Sequence, residues 1–240
     1  MTESLYQTDS YLTEFEASIV GFDDALRAIE LDRTAFYPGG GGQLPDYGML
    51  RSQGMTYKVT RAKYMKGKIV HLIEGTAPLP TIGNLVHAEI DWNYRYKLMR
   101  THTAMHILCG VIFRDYGASV TGGDMEPLKG RMDFEFETMH KELVEQIEQS
   151  INIEVANSLP IQTQILPRQE AFKIPDLIRT KINLLPEAIQ EVRTVEIEGL
   201  DLQADGGTHV RNTAEVGYIR VVNYKSKGKI NKRIYVELPE

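Results

Sequence analysis

The sequence predicts an α+β fold, in which a small barrel-like β domain precedes a domain of antiparallel sheet packed with helices. Residues 1–90 contain short strand patterns separated by turn signals, and this density is typical of a small barrel or a curled sheet. After residue 90 the apolar residues recur with helical spacing, and helix and strand patterns then alternate. We therefore predict two domains, residues 1–90 and residues 91–240.

Composition restricts the class of protein. Apolar residues make up 42% of the 240 residues, which is enough for a globular core. No apolar run approaches the roughly 20 residues of a membrane span, and the acidic N-terminus lacks the basic region of a secretory signal. A single cysteine excludes an internal disulfide framework. These features predict a soluble cytoplasmic protein.

The elements of the first domain are short strands. Strands are predicted at residues 26–31, 59–64 and 68–73, and another runs from Gly83 to Ile90. The glycine run at residues 39–42 and the turn at residues 45–48 separate them.

The second domain begins with a long helix. Asp91 is predicted to cap this helix, which continues to Phe113 with its apolar positions at Tyr94, Leu98, Met105, Leu108 and Ile112. Thr138 is predicted to cap a second helix that ends before Pro160. The remaining predicted elements are strands at 129–137, 162–166, 192–197, 218–224 and 233–238, and short helical turns near Glu170 and Pro186.

Two pairs of candidate metal ligands lie about a hundred residues apart. His102 and His106 are four residues apart on the first predicted helix, so their imidazoles project from the same face. Asp205 and His209 are four residues apart in a loop whose two glycines allow a tight backbone path. Each pair alone is a weak signal, because helical histidine pairs and Asp-Gly-Gly turns are common. Together the pairs favour one tetrahedral Zn²⁺ site.

The residues around these pairs resemble the editing domain of alanyl-tRNA synthetase and the free-standing alanyl-tRNA editing proteins of medium length. The likeness depends on RTHTAMH at residues 100–106, GGTHVRNT at 206–213 and TAFYPGGGGQ at 34–43. Shorter matches are RMDF at 131–134, EVG at 215–217 and RIY at 233–235, so the resemblance covers about residues 25–238.

The resemblance implies a hydrolase that acts in trans, without ATP, on mischarged seryl-tRNA(Ala) and on glycyl-tRNA(Ala) as a further candidate. Such an enzyme serves translation fidelity, because a pocket for alanine cannot strongly reject glycine or serine. It implies a zinc ion held by His102, His106 and His209, with Thr34 recognising the serine hydroxyl and Gln43 supplying a polar contact. An ordinary strand threonine is the alternative for Thr34.

The fourth ligand is where the chain departs from the family, which places a cysteine at the position of Asp205. A carboxylate ligates zinc at about 2.0–2.2 Å, and its harder oxygen also suits Mn²⁺, Fe²⁺ or Co²⁺. Cys109 lies three residues after His106 and could supply sulfur instead. Loss of the metal is a third alternative. We expect Asp205 to be the ligand and Cys109 to be a packed core residue.

The charge pattern allows local contact with tRNA. The net charge of −6 argues against a uniformly basic surface, but phosphate contacts depend on local patches. Beside a site that handles tRNA, the candidates for phosphate contact are Arg100, Arg211, Lys227, Lys229 and Arg233. Plain surface charge is the alternative for each of them.

Two other functions remain open. One is editing of another aminoacyl-tRNA, since threonyl-tRNA synthetase editing domains resemble this arrangement of ligands. The other is a non-catalytic tRNA-binding protein with a degenerate metal site. A zinc protease is disfavoured, because Thr103 occupies the position of the glutamate in the HExxH motif.

Overall fold

The computed structural model describes residues 2–180, 185 and 189–240. The chain divides into two compact units, Met1–Tyr96 and Lys97–Glu240. Sheets and a few helices occur together, so the predicted α+β class is confirmed. The predicted domains, 1–90 and 91–240, stay a prediction, because compactness does not test which part folds alone.

The first unit consists mainly of strands. They are β1 (Glu3–Ser4), β2 (Glu14–Asp23), β3 (Ala28–Leu31), β4 (Arg33–Thr34), β5 (Gly48–Ser52), β6 (Met55–Met65), β7 (Lys68–Ile73) and β8 (Leu85–Ile90), with a 3₁₀ turn at Leu5–Gln7. In the described part of this unit, six of them close into an antiparallel barrel in the order β2-β3-β7-β6-β5-β8. The predicted barrel-like β domain is confirmed.

Alternation along the strands fills the barrel. In β2, Phe15, Ala17 and Ile19 are buried while the residues between them are more exposed. They join a core that includes Leu31 and Leu50. Full burial of a leucine, isoleucine or phenylalanine side chain stabilises the fold by about 1.5–3 kcal/mol. Strand β2 was not among the predicted strands, although its apolar positions alternate with polar residues, which is the pattern of a half-buried strand.

The second unit combines helices with two sheets. Its elements are α1 (Trp92–Tyr116, which begins in the first unit), β9 (Val120–Glu126), β10 (Lys129–Glu135), α2 (Lys141–Ala156), β11 (Ile161–Pro167), α3 (Arg168–Ala171), β12 (Glu191–Ile197), β13 (Asp201–Ala204), a 3₁₀ turn at Thr213–Val216, β14 (Arg220–Ser226) and β15 (Asn231–Glu237). Among the described residues, the antiparallel sheets have the orders β14-β15-β10-β9 and β11-β12-β13.

Helix α1 is buried around its whole circumference over residues 101–112. Such burial needs neighbours on every face, and it removes polar side chains on this stretch from bulk water. Asp91 caps the helix as predicted, since its Oδ1 accepts a hydrogen bond from the backbone N–H of Tyr94 at 2.9 Å. Tyr94 itself is only half-buried, and the buried side chain beside it is Arg95.

The predicted cap of α2 was wrong. His140, not Thr138, caps this helix, and its Nδ1 accepts a hydrogen bond from the backbone N–H of Leu143 at 3.3 Å. A histidine ring nitrogen can accept the same N–H that a threonine hydroxyl accepts in this position. The helix ends before Pro160 as predicted, and the helical turn expected near Pro186 lies outside the described residues.

No helix in the described part of the chain combines the length and the apolar character that crossing a membrane requires.

Candidate metal centre

Four side chains of the second unit converge on one point. Helix α1 supplies His102 and His106, and the loop after β13 supplies Asp205 and His209. Their ligand atoms all lie within 4.8 Å of one another. All four are the residues that the sequence indicated as a metal site.

Two of the distances in this cluster are close to those around one tetrahedral ion, and all its ligand atoms lie within 4.8 Å of one another. Ligand atoms around a single zinc lie about 3.3 Å apart when each bond is 2.0–2.1 Å long. The separation between Nε2 of His209 and Oδ2 of Asp205 is 3.1 Å, and that between Nε2 of His102 and Oδ1 of Asp205 is 3.6 Å. The donor set of three imidazoles and a carboxylate therefore fits a divalent cation.

Burial makes the three histidines strong candidates for ligands. His102, His106 and His209 are 4%, 6% and 3% exposed, and their ring centroids lie 4.3–5.0 Å apart. Burial lowers the pKa of His102 to about 4 and lowers the pKa of His209 well below its ordinary value. Neutral imidazoles offer a lone pair to a metal, so two of the three rings are ready for ligation at neutral pH.

Asp205 contributes the negative charge of the cluster. Burial alone would raise the pKa of its carboxyl, but the neighbouring His102 and His209 hold that pKa well below its ordinary value. The backbone N–H of Gly207 donates to Oδ2 of Asp205 at 2.7 Å, which closes the turn between Asp205 and His209. Arg193 also secures this loop, because its Nη1 donates to the carbonyls of Asp205 and Gly207.

Two of the histidines have partners at their other ring nitrogen. Nδ1 of His106 lies 3.1 Å from Oδ2 of Asp201, and Nδ1 of His209 lies 3.1 Å from Oγ1 of Thr103. Although burial alone would lower the pKa of His106, its hydrogen bond to Asp201 and the charge of that carboxylate raise it. Sequence reasoning missed both partners. For Asp201, the available signal was the alternation of Asp201, Gln203 and Asp205 along one strand and its continuation.

Cys109 is not part of the cluster formed by the described residues. The thiol is 1% exposed on α1, and burial raises its pKa, so it stays protonated at neutral pH. A protonated, buried thiol is a poor ligand and a typical core side chain.

Thr34 belongs to the first unit, where it forms a buried pair with His71. Burial lowers the pKa of His71 to about 4, so the ring is neutral at pH 7. Its Nδ1 lies 3.1 Å from the carbonyl oxygen of Ile29, which only accepts, so Nδ1 carries the proton. Nε2 therefore accepts the hydroxyl proton of Thr34 at 2.8 Å. The sequence showed no pattern at His71.

Gln43 closes the glycine segment of the same unit. Its backbone N–H donates to the carbonyl of Gly40 at 2.9 Å, and the N–H of Gly40 donates back at 3.1 Å. The residues Gly39 to Gly42 all have positive φ, between 57° and 141°. Only glycine adopts such angles repeatedly without steric cost, which explains the run of glycines. The side chain of Gln43 is buried.

A buried ion pair anchors both ends of this segment. Asp46 accepts from the backbone N–H of Tyr37 at 2.5 Å and from Nε of Arg95 at 2.9 Å. Arg95 also donates to the carbonyls of Ala35 and Ser10. These bonds tie the residues on either side of the glycine run to the start of α1.

The candidate phosphate contacts occupy different environments. Arg100 donates to the carbonyls of Val216 and Pro239, and Arg233 forms two hydrogen bonds of 2.6 and 2.8 Å to Asp133. Both guanidinium groups therefore stabilise the second unit. The exposed candidates are Arg211, Lys227 and Lys229.

Two family models match the chain. Residues 192–235 match the model described as the second additional domain of threonyl and alanyl tRNA synthetases. Residues 10–94 match the model described as class II (A) tRNA synthetases.

Curated relatives are similar over nearly the whole chain. The alanyl-tRNA editing protein AlaX-M of Saccharolobus solfataricus is 40% identical over 237 residues, which is 98% of each chain. The AlaX-M protein of Methanosarcina barkeri is 37% identical over 242 residues, 99% of each chain. An alanine–tRNA ligase of Pyrobaculum neutrophilum is 36% identical over 230 residues, 92% of this chain and 25% of the ligase.

Proposed function

The chain belongs to the family of the AlaX-M alanyl-tRNA editing proteins, and on this premise we propose that it removes serine from mischarged tRNA(Ala) in trans, with a bound zinc ion. Glycyl-tRNA(Ala) is the second substrate to test. The observation that supports a metal-dependent reaction is the convergence of three histidines and Asp205. Because the proposed substrate is a mischarged tRNA, we propose that the reaction takes place in the cytoplasm.

The cluster residues would hold the ion through three imidazole nitrogens and one carboxylate oxygen. When bound, zinc supplies Lewis-acid chemistry, which polarises the ester carbonyl and favours attack by water. The Asp205 side chain is 13% exposed, against 5% for His102 and 2% for His209. The proposed approach of the ester is therefore from the side of Asp205. With all four protein ligands bound, the ester or water would add as a fifth ligand or displace one of them.

Discrimination against alanine is proposed to depend on Thr34, with Gln43 as a further polar contact. After its bonds to His71 and to the backbone N–H of Phe36, the Thr34 hydroxyl retains one lone pair that can accept from a serine hydroxyl. Alanine has no hydroxyl to donate. Thr34 has no exposed surface, so this contact requires a local rearrangement of its segment on binding.

Phosphate contacts are proposed for Arg211, Lys227 and Lys229, which are exposed. Arg100 and Arg233 rank below Lys227 and Lys229, because their guanidinium groups already bind carbonyls or Asp133. Neutralising a phosphate contact is expected to weaken tRNA binding and to reduce its dependence on salt.

A deacylation assay tests this function. With zinc added, the protein should deacylate seryl-tRNA(Ala) and spare alanyl-tRNA(Ala), and His102→Ala should abolish the reaction. His87→Ala is the matched control, because that histidine lies in β8, outside the cluster. Wild-type activity no higher than that of His102→Ala contradicts the proposal.

Two alternative functions each have a specific observation in their favour. The matching model for residues 192–235 covers threonyl as well as alanyl synthetases, which favours another charged tRNA as substrate. Asp205 at the family's cysteine position favours a tRNA-binding protein with a degenerate site. Turnover of threonine tRNA charged with serine supports the first, and tight tRNA binding without metal or turnover supports the second.

A further inference from the structure

The buried carboxylate of Asp201, which is outside the proposed ligand set, contacts the ring nitrogen Nδ1 of His106. We propose that Asp201 is a positioning residue that holds Nε2 of His106 toward the metal and strengthens metal binding with its charge. The inference rests on the proposed metal site and concerns a residue outside it.

The hydrogen-bond geometry supports this role. The Asp201 side chain has no exposed surface, and its Oδ2 lies 3.1 Å from Nδ1 of His106. A carboxylate only accepts, so the proton of a neutral His106 ring stays on Nδ1 and Nε2 carries the lone pair. Metal-ligating histidines commonly donate their other N–H to a carboxylate in this way.

Asp201 is itself held from two sides. Nε2 of Gln203 donates at 2.7 Å to the same oxygen that faces His106. Nε of Arg179 lies 3.5 Å from Oδ1, and the Arg179 guanidinium stacks on the ring of Phe113 at 3.7 Å. Phe113 and His106 are both on α1, so Arg179 fixes the carboxylate relative to the helix that carries the histidine.

The ion pair behind His106 is unusual for one that serves stability alone. Among the buried polar atoms of the described residues, Oδ1 of Asp201 and Nε and Nη1 of Arg179 have no hydrogen-bond partner. Buried charges are costly unless hydrogen bonds satisfy them. Arg179 thus provides charge compensation at ion-pair distance, while the hydrogen bonds of Asp201 are directed at Gln203 and His106.

Thr103 provides an internal comparison. It lies 3.1 Å from Nδ1 of His209, as Asp201 does from Nδ1 of His106, but its hydroxyl carries no charge. Asp201 therefore places a second carboxylate next to the donor set, beside that of Asp205, with Arg179 as its counter-ion. Loss of such an outer partner typically weakens metal binding tenfold to a hundredfold.

Metal affinity is the first test. Zn²⁺ dissociation constants are measured by chelator competition for the full chain and for Asp201→Asn and Asp201→Ala. We expect losses of about tenfold and a hundredfold respectively. Asp133→Asn is the matched control, because Asp133 is also a buried carboxylate of the second unit but pairs with Arg233. It should bind zinc like the wild type. Wild-type affinity in both Asp201 variants overturns the proposal.

The tautomer of His106 is the second test, and it needs no metal. In the metal-free protein at pH 9, ¹⁵N NMR should show the proton of His106 on Nδ1, and Asp201→Ala should give a mixture of tautomers. An unchanged tautomer overturns the proposal. If Asp201→Ala does not fold, Gln203→Leu removes the hydrogen bond that orients the carboxylate, and zinc affinity should fall a few-fold. Unchanged affinity there overturns the proposal.

These results separate the two proposals. A wild-type protein that binds no metal and hydrolyses no ester sinks the proposed function, yet the tautomer still reports on Asp201. A protein that binds zinc equally well with and without Asp201 keeps the proposed function and removes this inference.

Discussion

Buried polar side chains occur in both units, but they are arranged differently. In the barrel unit, two buried pairs are complementary: Asp46 faces the guanidinium of Arg95, and the hydroxyl of Thr34 faces the unprotonated ring nitrogen of His71. In the second unit, three imidazoles and the carboxylate of Asp205 converge on one another.

The difference distinguishes buried polar side chains that stabilise the fold by pairing with each other from buried polar side chains that form a binding site. A satisfied pair needs nothing further, and removing one partner leaves an uncompensated buried group. A cluster of metal-ligating groups is completed only when a cation binds, and loss of one member is expected chiefly to weaken cation binding. The following predictions test this contrast, beginning with the largest effect.

Asp46→Ala should cause the largest loss of stability. It leaves the Arg95 guanidinium buried without its carboxylate, which typically costs 3–5 kcal/mol. The measurement is the free energy of unfolding in urea, and zinc affinity of the folded protein should not change. Destabilisation below about 1 kcal/mol would show that the Asp46–Arg95 pair does not anchor the barrel unit.

His209→Ala should have the opposite profile. Zinc affinity should fall at least a hundredfold, because loss of a ligand exceeds the tenfold to hundredfold effect of outer partners. The metal-free protein should lose only about 1 kcal/mol of stability, since a cluster of metal-ligating groups is completed only when its cation binds. Chelator competition and urea unfolding measure the two quantities. A stability loss as large as that of Asp46→Ala, with zinc affinity kept, contradicts the contrast.

The barrel histidine should make the metal-free protein sensitive to acid. The pKa of His71 is about 4 when folded against 6.5 in the unfolded chain, so between these values the unfolded chain binds more protons. Stability then falls as the pH decreases from 6.5 to about 4, with a slope of up to about 1.4 kcal/mol per pH unit from this residue. His71→Gln should remove this part of the slope in urea titrations at several pH values. An unchanged slope means that His71 does not remain neutral.

Local pattern predicted much of the fold. Helix α1 followed from its apolar spacing and Asp91, and strand β7 was predicted at its observed bounds. The burial of Arg95 was not predictable, because sequence pattern treats arginine as a surface residue and its partner Asp46 is 49 positions away. Only closure of the barrel and the start of α1 bring them together.

The candidate site also has parts that local sequence predicts and parts that depend on contacts between residues far apart in the chain. The two members of each ligand pair are four residues apart within one turn or loop, so the two spacings taken together indicated them. Asp201 and His106 are 95 positions apart, and their contact depends on β13 passing beside α1. His71 is similar: it alternates along β7 like any strand residue, and its role appears only when the barrel places Thr34 beside it.

Asp205→Cys should give the smallest change in affinity and the clearest change in selectivity. A thiolate is a softer ligand than a carboxylate, so preference for Zn²⁺ over Mn²⁺ should rise. The substitution also removes the 2.7 Å hydrogen bond from Gly207 to the carboxylate, which offsets part of the gain. Zinc affinity itself should therefore change less than tenfold. Competition between the two metals, measured by chelator titration, gives the ratio.

Cobalt spectroscopy shows which side chain is responsible. In Co²⁺-loaded Asp205→Cys, absorption from a cobalt–thiolate bond should appear and should persist when Cys109→Ala is added. The wild type should lack this absorption, because the Cys109 thiol is buried and burial raises its pKa. Absorption in the wild type that Cys109→Ala abolishes would instead assign Cys109 as a ligand. The buried side chains of α1 around Cys109 would then have to rearrange to bring its thiol to the metal. The observed positions of the cluster residues would in that case not describe the metal-bound site, and the contrast with the barrel pairs could not be drawn from these positions alone.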